Sequence, residues 1–577
     1  MTKGIRGFAK CPKCGSTEQL HKKTLSESFP FSSMRPFQEE VLGQIESAVA
    51  LGKRFIFLEA PVGFGKSAIA AALCKHLGTA YLLTSTKQLQ DQYSSDFSFV
   101  PVIGKSNFTC CVSTSSGHHV ACSKGRCEAD WTLDQCPHYL NFDEYDQHKL
   151  GRHTRNSKCE HLKDRRLCPY YEQKWDAFRA KIAVANYSFF LSELRYTDDV
   201  TKRKLLVCDE AHDLEKHLVG FGSYSLKRTM LESYQGEKGS TTTSIPLKGE
   251  DDAAAWLDVL RNSNEILDSF IERRLDDPDM QDRVATAKGA QRSLEGFISD
   301  LKKDPANWVV NKVRRTIALD GTDTVDEVVF QPLEVASYTK DIFESAETLL
   351  FMSATLSPDA LLLRTFGVPH DASAFIRIPD STFPVENRRI HSMDVAYLSK
   401  SSMDSSLDQI TKAIDLIMDR HFQERGIVHT TSYQQANYII GHVSDANRRR
   451  LVTTEGSMSR SSLLKTHGTT EASVLISPSL YQGVDLKDEL SRFQVVVKVP
   501  YPDLSERRTR VKLARDPQWY AWQTALRLVQ TYGRSVRSDT DHASTYVLDS
   551  NFSGFVSKNR DLFPHYFLDA LVLPGTG

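Results

Sequence analysis

The chain of 577 residues is too long for a single hydrophobic core, and ordinary domain sizes predict three or four domains. Hydrophobic residues make up 40% and charged residues 25%, near the averages for globular proteins, which argues against disorder, collagen and coiled coil. The formal net charge of −1 gives no overall attraction to polyanions, so a nucleic-acid site would need local clusters of lysine and arginine.

The N-terminal MTKGIRGFAK lacks the apolar core and cleavage site of a secretory signal. Apolar stretches such as AIAAALC stop far short of the roughly 18 to 20 residues that a membrane span needs. We therefore expect no membrane segment and a reducing, cytoplasmic compartment. The CPKC at residues 11–14 resembles half a zinc ribbon without its second cysteine pair, which suggests at most a degenerate zinc knuckle.

A strand, a glycine-bearing turn and a helix are predicted over residues 54–74, RFIFLEAPVGFGKSAIAAALC. The turn matches the phosphate-binding loop if Ala60 replaces its first glycine. Backbone N–H groups and the helix N-terminus would face phosphate oxygens. Lys66 would reach the outer phosphates and the Ser67 hydroxyl would ligate Mg²⁺, whereas the alternative is an ordinary turn with an incidental lysine. The candidate ATP-binding residues of this loop are Ala60, Pro61, Gly63, Phe64, Gly65, Lys66 and Ser67.

Seven of the eleven cysteines lie between residues 110 and 168. In a reducing compartment such a cluster points to metal or redox chemistry rather than to disulfides. Thiolates favour iron-sulfur clusters or zinc over hard cations. Loose free thiols are the third alternative, although the stretch CVSTSSGHHVACSKGRC is too polar to bury them as small apolar side chains.

The second half of this window is basic and aromatic, which is typical of a surface for single-stranded nucleic acid. Cations would follow the phosphates and aromatic faces would stack on bases, although such runs are often only solvated. The residues concerned are Lys149, Arg152, Arg155, Lys158, Lys163, Arg165, Arg166, Tyr170, Tyr171 and Trp175.

The stretch KLLVCDEAHDL, residues 204–214, is a short apolar run that ends in two acidic residues. This pattern is expected where a buried parallel strand ends at a site. Asp209 would hold Mg²⁺, mostly through water, and Glu210 would orient and deprotonate the attacking water. Farther along, residues 251–275 place apolar side chains at helical spacing, which predicts helices in this part of the chain.

Four stretches follow one another along the chain in this order: GFGKS, DEAH, SATL at 353–356 and QTYGRSVRS at 530–538. Their order and spacing resemble the superfamily 2 helicases over most of the chain. The cysteine window lies between LLTSTKQLQDQ (82–92), which resembles a nucleic-acid motif of that superfamily, and DEAH. The XPD/DinG group inserts its iron-sulfur domain at that place, and the flanks GKSNFTC and CPYYEQKWDAF resemble that group's entry and exit sequences.

The resemblance implies an α/β fold with two RecA-like parallel-sheet lobes that close on ATP and Mg²⁺. It assigns Arg35 and Gln38 to adenine recognition, and Gly483 and Asp485 to the second-lobe motif, in which Gln482 replaces the usual glutamate. It also implies that the second lobe brings three catalytic side chains to the γ-phosphate: Gln530 and the arginine fingers Arg534 and Arg537. The stretch GIVHTTSYQQANYII, residues 426–440, fits the strand, loop and helix that open this lobe.

The same resemblance implies a [4Fe–4S] cluster, with zinc as the alternative metal. The entry and exit sequences assign Cys110 and Cys168 as ligands, and the group's spacing adds Cys159. Cys127 is preferred as the fourth ligand over Cys122, with Cys136 behind them, and Cys111 is taken as a bystander.

These assignments divide the chain into seven predicted segments. They are a tail with CPKC (1–29), the first part of lobe 1 (30–104), the iron-sulfur domain (105–175), the DEAH part of lobe 1 (176–215), a helical arch (216–340), the SATL part of lobe 1 (341–385) and lobe 2 (386–577).

The sequence therefore predicts a cytoplasmic or nucleoid-associated, monomeric DNA helicase. It would use ATP to move along single-stranded DNA, 5′ to 3′ by resemblance, and to unwind duplex or forked DNA. The alternatives are a translocase or remodeller without processive unwinding, an ATP-dependent nuclease, and a regulatory DNA-binding ATPase with a zinc module.

Overall fold

The structure is a computed structural model. It describes residues 7–10, 17–20, 24–112, 120–124, 136–153, 166–235, 252–275, 277, 280–317, 323–398, 403–453, 460–478, 486, 488–536 and 540–573. Within these ranges, no helix combines the length and the apolar character required to cross a bilayer. Near the N-terminus, β1 (Gly7–Lys10) and β2 (Thr17–Leu20) pair as an antiparallel hairpin, and the cysteines of CPKC lie outside the described residues.

Lobe 1 is built on a sheet of seven parallel strands in the order β12-β3-β11-β7-β4-β6-β5. Its strands are β3 (Phe55–Glu59), β4 (Ala80–Thr84), β5 (Val100–Val102), β6 (Ile182–Asn186), β7 (Arg203–Asp209), β11 (Ala346–Ser353) and β12 (Ser373–Arg377). Most of the strand residues are buried, as expected for a parallel sheet covered on both faces.

Helices cover both faces of this sheet and form a separate apolar cluster on each. Those of lobe 1 are α1 (Gln38–Ala50), α2 (Lys66–Leu77), α3 (Lys87–Phe97), α6 (Tyr187–Tyr196), α7 (Leu214–Gly222), α11 (Lys340–Glu344) and α12 (Asp359–Phe366). The strand, loop and helix predicted around GFGKS are confirmed as β3 and α2, and the strand before DEAH is confirmed as β7.

A small domain leaves lobe 1 after β5 and returns to it at β6. It contains α4 (Phe142–His153) and α5 (Pro169–Arg179), and its core combines aromatic rings with cysteine side chains. Its position matches the predicted cysteine-rich insertion.

A second insertion lies between α7 and β11, and it is only partly helical. Helices α8 (Arg228–Gln235), α9 (Leu257–Arg274) and α10 (Gln281–Lys303) pack with an antiparallel sheet in the order β8-β10-β9. The strands are β8 (Tyr224–Lys227), β9 (Trp308–Ile317) and β10 (Asp323–Pro332). The sequence analysis missed this sheet, because it followed only the helical periodicity of residues 251–275.

Lobe 2 is a second sheet of seven parallel strands in the order β15-β16-β14-β17-β18-β13-β19. The strands are β13 (Ile390–Ala396), β14 (Gly426–His429), β15 (Leu451–Val452), β16 (Val474–Ser477), β17 (Phe493–Val496), β18 (Ser544–Asp549) and β19 (Leu571–Val572). The two seven-stranded α/β lobes confirm the predicted fold class.

The helices of lobe 2 are α13 (Met403–Arg420), α14 (Tyr433–His442), α15 (Asp445–Arg448), α16 (Arg460–Thr469), α17 (Arg507–Arg515), α18 (Pro517–Tyr532), α19 (Asn551–Lys558) and α20 (His565–Leu568). The predicted strand, loop and helix of residues 426–440 are confirmed as β14 and α14, with the Ser432 side chain capping the helix.

The lobes touch along one side of lobe 1. Leu361 of α12 packs into the apolar core of lobe 2, and the Tyr566 hydroxyl donates to the carbonyl of Ala354 at 3.0 Å. The SATL segment that follows β11 thus lies directly against lobe 2.

Candidate functional site

The phosphate-binding loop joins the buried strand β3 to helix α2. Gly63 and Gly65 have φ values of 80° and 91°, in the left-handed region that favours glycine. A Cβ at Gly63 would lie 2.0 Å from Cζ of Phe383, and one at Gly65 would lie 2.5 Å from Nε2 of Gln38. Glycine is therefore required at both positions by backbone conformation and by close packing.

The two residues predicted for adenine recognition both contact this loop. Arg35 Nη1 donates to the carbonyl of Gly63. Gln38 is buried, and its Nε2 donates to the carbonyl of Phe64 at 2.7 Å. Its Oε1 accepts from the backbone N–H of Arg35 at 2.8 Å. The hydrogen bonds of Arg35 and Gln38 thus hold the start of helix α1 against the loop, which lies 26 to 28 positions later in the chain.

The Lys66 ammonium lies on the inner side of the loop. Its Nζ donates to the carbonyls of Ala60 at 2.8 Å and Pro61 at 3.2 Å. Lys66 is the first residue of α2, so its charge adds to the positive end of the helix dipole. An anion at this helix end would meet backbone N–H groups and an ammonium together.

The acidic pair lies at the carboxyl end of β7, with β11 between it and the strand of the loop. Asp209 is 5% exposed; its Oδ2 accepts from the Tyr93 hydroxyl at 2.8 Å, and its Oδ1 from the backbone N–H of Glu210 at 2.9 Å. Burial, followed by the charge of Glu210, raises the pKa of Asp209 to about 7, and the Lys66 charge opposes this shift. The buried Asp209 carboxylate supplies the oxygen ligands that a small divalent cation prefers.

Glu210 has a left-handed backbone with a φ of 51°, which is uncommon for a residue other than glycine. Glu210 Oε2 lies 3.3 Å from Nδ1 of His212, and the same Nδ1 is 2.8 Å from the Ser353 hydroxyl. His212 therefore connects the DEAH segment to the SATL segment.

Lobe 2 meets the phosphate-binding loop at the end of α18. A Cβ on Gly533 would lie 3.1 Å from Cγ2 of Val62, in the middle of the loop. The next residue, Arg534, donates through Nε to the carbonyl of Gln530 at 3.1 Å and through Nη2 to its Oε1 at 3.3 Å. Two of the three side chains predicted to come from lobe 2 thus contact each other, and Gly533, which precedes Arg534, approaches the loop. Gly483, Asp485 and Arg537 lie outside the described residues.

The predicted cysteine ligands in the described ranges converge on one cavity, which we call the thiol cavity. An isolated antiparallel bridge between Thr109 and Ala121 joins the two segments that carry Cys110 and Cys122. The backbone N–H of Cys168 donates to the carbonyl of His138 at 2.8 Å and brings the exit segment to the same place. The cysteines that line the cavity are Cys110, Cys111, Cys122, Cys136 and Cys168.

Two cysteines that the sequence analysis ranked behind Cys127, namely Cys122 and Cys136, line the thiol cavity. Cys127 and Cys159 lie outside the described residues, so the ranking of the ligands stays a prediction. Five clustered thiols fit a soft metal in donor chemistry. Across the described ranges, however, no three histidine, cysteine or acidic side chains stand at the spacing of bound-metal ligands.

The prediction that the aromatic side chains of this stretch form a surface for single-stranded nucleic acid is wrong. Tyr170, Tyr171 and Trp175 are 3%, 7% and 2% exposed, and they form the core beneath the thiol cavity. The indole of Trp175 donates to the carbonyl of Leu140 at 2.8 Å. These rings face inward because α5 packs its aromatic side against the domain, so they cannot stack on bases. Of the basic residues, Lys149 lies 3.4 Å from an oxygen of Asp176, and Arg155, Lys158, Lys163 and Arg165 lie outside the described residues.

The sequence analysis missed several residues that contact the site. They are Tyr93, Tyr187, His212, Ser353 and Phe383, which touch Asp209, the DEAH segment or the loop. Only His212 and Ser353 stand within recognised motifs and could have been found there. The other three are single aromatic residues without a characteristic spacing.

Comparisons with known proteins agree with this arrangement. The family model DEAD_2 matches residues 82–231, and the helicase C-terminal domain matches residues 417–567. A structure titled XPD_Helicase superposes with a TM-score of 0.59 at 16% identity, covering 94% of this chain and 100% of that one. Xpd4 of S. tokodaii gives 0.53 at 15% identity, with coverages of 93% and 100%. No curated protein matches the chain in sequence.

Proposed function

Because the chain belongs to the XPD/DinG-like superfamily 2 helicases, which use ATP and bind nucleic acid, we propose that it is a DNA helicase. It moves on single-stranded DNA in the 5′ to 3′ direction and opens duplex or forked DNA. The observation that carries this proposal is the approach of Gly533, which lies between the end of α18 and Arg534, to Val62 of the phosphate-binding loop.

Binding of the nucleotide falls to lobe 1. The phosphates lie on the loop of residues 60–67, where Gly63 and Gly65 let the backbone approach them. The Lys66 ammonium exchanges its bonds to the carbonyls of Ala60 and Pro61 for bonds to the outer phosphates. Arg35 and Gln38, which hold the loop carbonyls, lie where the family reads adenine.

Hydrolysis uses residues of both lobes. Ser67 and Asp209 hold Mg²⁺, and Glu210 orients the attacking water and takes its proton. Arg534 and Arg537 neutralise charge that spreads over the γ-phosphoryl oxygens, and Gln530 assists beside them. Since Arg534 and the loop belong to different lobes, the site is complete only when the lobes close, and hydrolysis is thereby coupled to movement on DNA.

The thiol cavity holds a [4Fe–4S] cluster in this proposal, with zinc as the alternative. Among the described cysteines the favoured ligands are Cys110, Cys122, Cys136 and Cys168, and Cys127 and Cys159 are the remaining candidates. A bound cluster would cross-link the thiolates of these cysteines and so stabilise a small domain whose own core is limited. The domain would then present a rigid edge to the DNA fork.

Two other functions share the same ATP site. A translocase or remodeller would hydrolyse ATP on single-stranded DNA without processive unwinding. An ATP-dependent nuclease would also cleave the strand. Forked DNA labelled at either end distinguishes the three, because the products are separated strands, an intact fork or shortened strands.

The test uses the full chain purified without oxygen, with iron and acid-labile sulfide measured first. We expect ATP-dependent separation of a fork that carries a 5′ single-stranded tail, and none of a fork with only a 3′ tail. The Lys66→Ala variant should lose ATP hydrolysis and unwinding but still bind single-stranded DNA. DNA-stimulated turnover by Lys66→Ala would contradict the assignment of the loop, and strand separation from the 3′ tail would contradict the polarity.

A further inference from the structure

Asp209 is held by a tyrosine from another part of lobe 1. Tyr93 lies in α3 and is completely buried, and its hydroxyl donates to Oδ2 of Asp209 at 2.8 Å. The other carboxylate oxygen accepts from the backbone N–H of Glu210 at 2.9 Å. Both oxygens are thus directed by donors, so the plane of the carboxylate is fixed.

Packing keeps the Tyr93 ring in place. Its centroid lies 5.8 Å from that of Phe97 and 6.4 Å from that of Phe99, and all three rings belong to the core that covers one face of the sheet.

A second buried tyrosine holds the backbone of the same residue. The Tyr187 hydroxyl donates to the carbonyl oxygen of Asp209 at 2.8 Å. Tyr187 begins α6, directly after the strand by which the chain returns from the cysteine-rich domain, and Tyr93 lies before that domain. The segments before and after the cysteine-rich domain thus each contribute one tyrosine that contacts Asp209.

From these contacts we propose that Tyr93 is a positioning residue for Mg²⁺, which orients the Asp209 carboxylate through its hydroxyl. The inference rests on the proposed function, because it assumes that Asp209 holds the cation. Hydrogen-bond partners of metal ligands typically contribute 10- to 100-fold to metal affinity, since they restrict the ligand to its binding orientation.

The test is the Mg²⁺ dependence of nucleotide binding, which needs no catalytic turnover. A fluorescent ADP analogue is titrated into the full chain at a series of MgCl₂ concentrations and in EDTA. Tyr93→Phe keeps the ring and removes only the hydroxyl. We expect the Mg²⁺ concentration for half-maximal enhancement of ADP binding to rise about 10-fold, with the affinity in EDTA unchanged.

Tyr224→Phe is the matched control, because Tyr224 is a buried tyrosine stacked on Phe297 in the second insertion, away from the site. It should leave the Mg²⁺ dependence unchanged. A wild-type Mg²⁺ dependence in Tyr93→Phe would overturn the inference alone. A loss of ADP affinity in EDTA as large as the loss in MgCl₂ would also overturn the inference, because it would show that the substitution damages the nucleotide pocket in general. A wild-type chain that binds no nucleotide would overturn the proposed function itself.

Discussion

Arg508 of lobe 2 donates a hydrogen bond to Glu215 of lobe 1, with 2.7 Å between Nη2 and Oε1. The indole N–H of Trp519 donates to the second oxygen of the same carboxylate at 2.9 Å. The side chains of Arg508 and Glu215 are each only 11% exposed. Glu215 belongs to α7, which follows the DEAH segment, and Trp519 belongs to α18, the helix that ends beside the phosphate-binding loop. Helix α18 thus takes part in two contacts between the lobes, one at Glu215 and one at the phosphate-binding loop.

We expect Glu215→Gln to weaken this contact, because it removes the charge while keeping the shape. A buried charge that loses its partner destabilises far more than an exposed one. The midpoint of thermal unfolding should fall, and kcat for ATP should fall more than ATP affinity, since lobe 1 alone binds most of the nucleotide. Calorimetry and steady-state kinetics on single-stranded DNA measure both effects.

The control is Glu347→Gln, whose partner Lys204 lies 2.8 Å away in an exposed pair with side chains 52% and 54% accessible. This change should have little effect on either quantity. Equal effects of the two variants would show that the contact between Glu215 and Arg508 has no special role in joining the lobes.

Arg534→Ala should abolish most ATP hydrolysis and leave nucleotide binding nearly intact. An arginine that stabilises the charge of the transferred phosphoryl group is worth about 10³ to 10⁵ in rate. The measurement is single-turnover hydrolysis at saturating ATP and DNA, together with ADP affinity. Arg449→Ala removes an exposed arginine elsewhere in lobe 2 and should retain the wild-type rate. A loss of less than tenfold in Arg534→Ala would remove this residue from the proposed catalytic set.

Cys110→Ser should lower the iron and acid-labile sulfide of the anaerobic protein, because it replaces one thiolate at the thiol cavity. Duplex opening should fall with it, whereas ATP binding by lobe 1 should persist. Cys74→Ser is the control, since Cys74 is buried in α2 within the core of lobe 1. Comparison of Cys122→Ser with Cys127→Ser then identifies the disputed ligand. Wild-type iron content in Cys110→Ser would show that this thiol is not a ligand.

Gly65→Ala should reduce nucleotide affinity more than Gly78→Ala. The two glycines have nearly equal φ values, 91° and 89°, so the backbone strain of an alanine is similar, about 1 to 2 kcal/mol. They differ in surroundings, because a Cβ at Gly65 meets Nε2 of Gln38 at 2.5 Å and a Cβ at Gly78 meets nothing within 4 Å. Titration with an ADP analogue measures the difference, and equal affinities would contradict the role of Gln38 in supporting the loop.

Several features of the site could be read from short stretches of sequence. The turn before Lys66 and the acidic pair after β7 were identified because strand, turn and helix patterns extend over a few residues. The strands of the second insertion were harder to predict. Its helices follow a visible period, but β10 pairs with β8, which lies about 100 residues earlier in the chain, and that pairing has no local signal.

The basic, aromatic stretch that ends at Trp175 shows that composition alone does not distinguish a binding surface from a small core. Tyrosine and tryptophan occur both on surfaces that stack on bases and in small cores, and only the packing of α5 shows that these rings are internal. The set of cysteines at the thiol cavity has the same limit. Only the packing of the chain shows that Cys122 and Cys136 line this cavity together with Cys110 and Cys168.

The sequence by itself determined the order of the motifs and therefore the family, the two α/β lobes and the elements that carry each candidate residue. Tertiary structure alone decided which distant side chains meet: Tyr93 with Asp209, Glu215 with Arg508, and Gly533 with Val62. The physical reason is that backbone periodicity depends on near neighbours. A hydrogen bond between residues 116 or 293 positions apart depends on how complete sheets and helices pack.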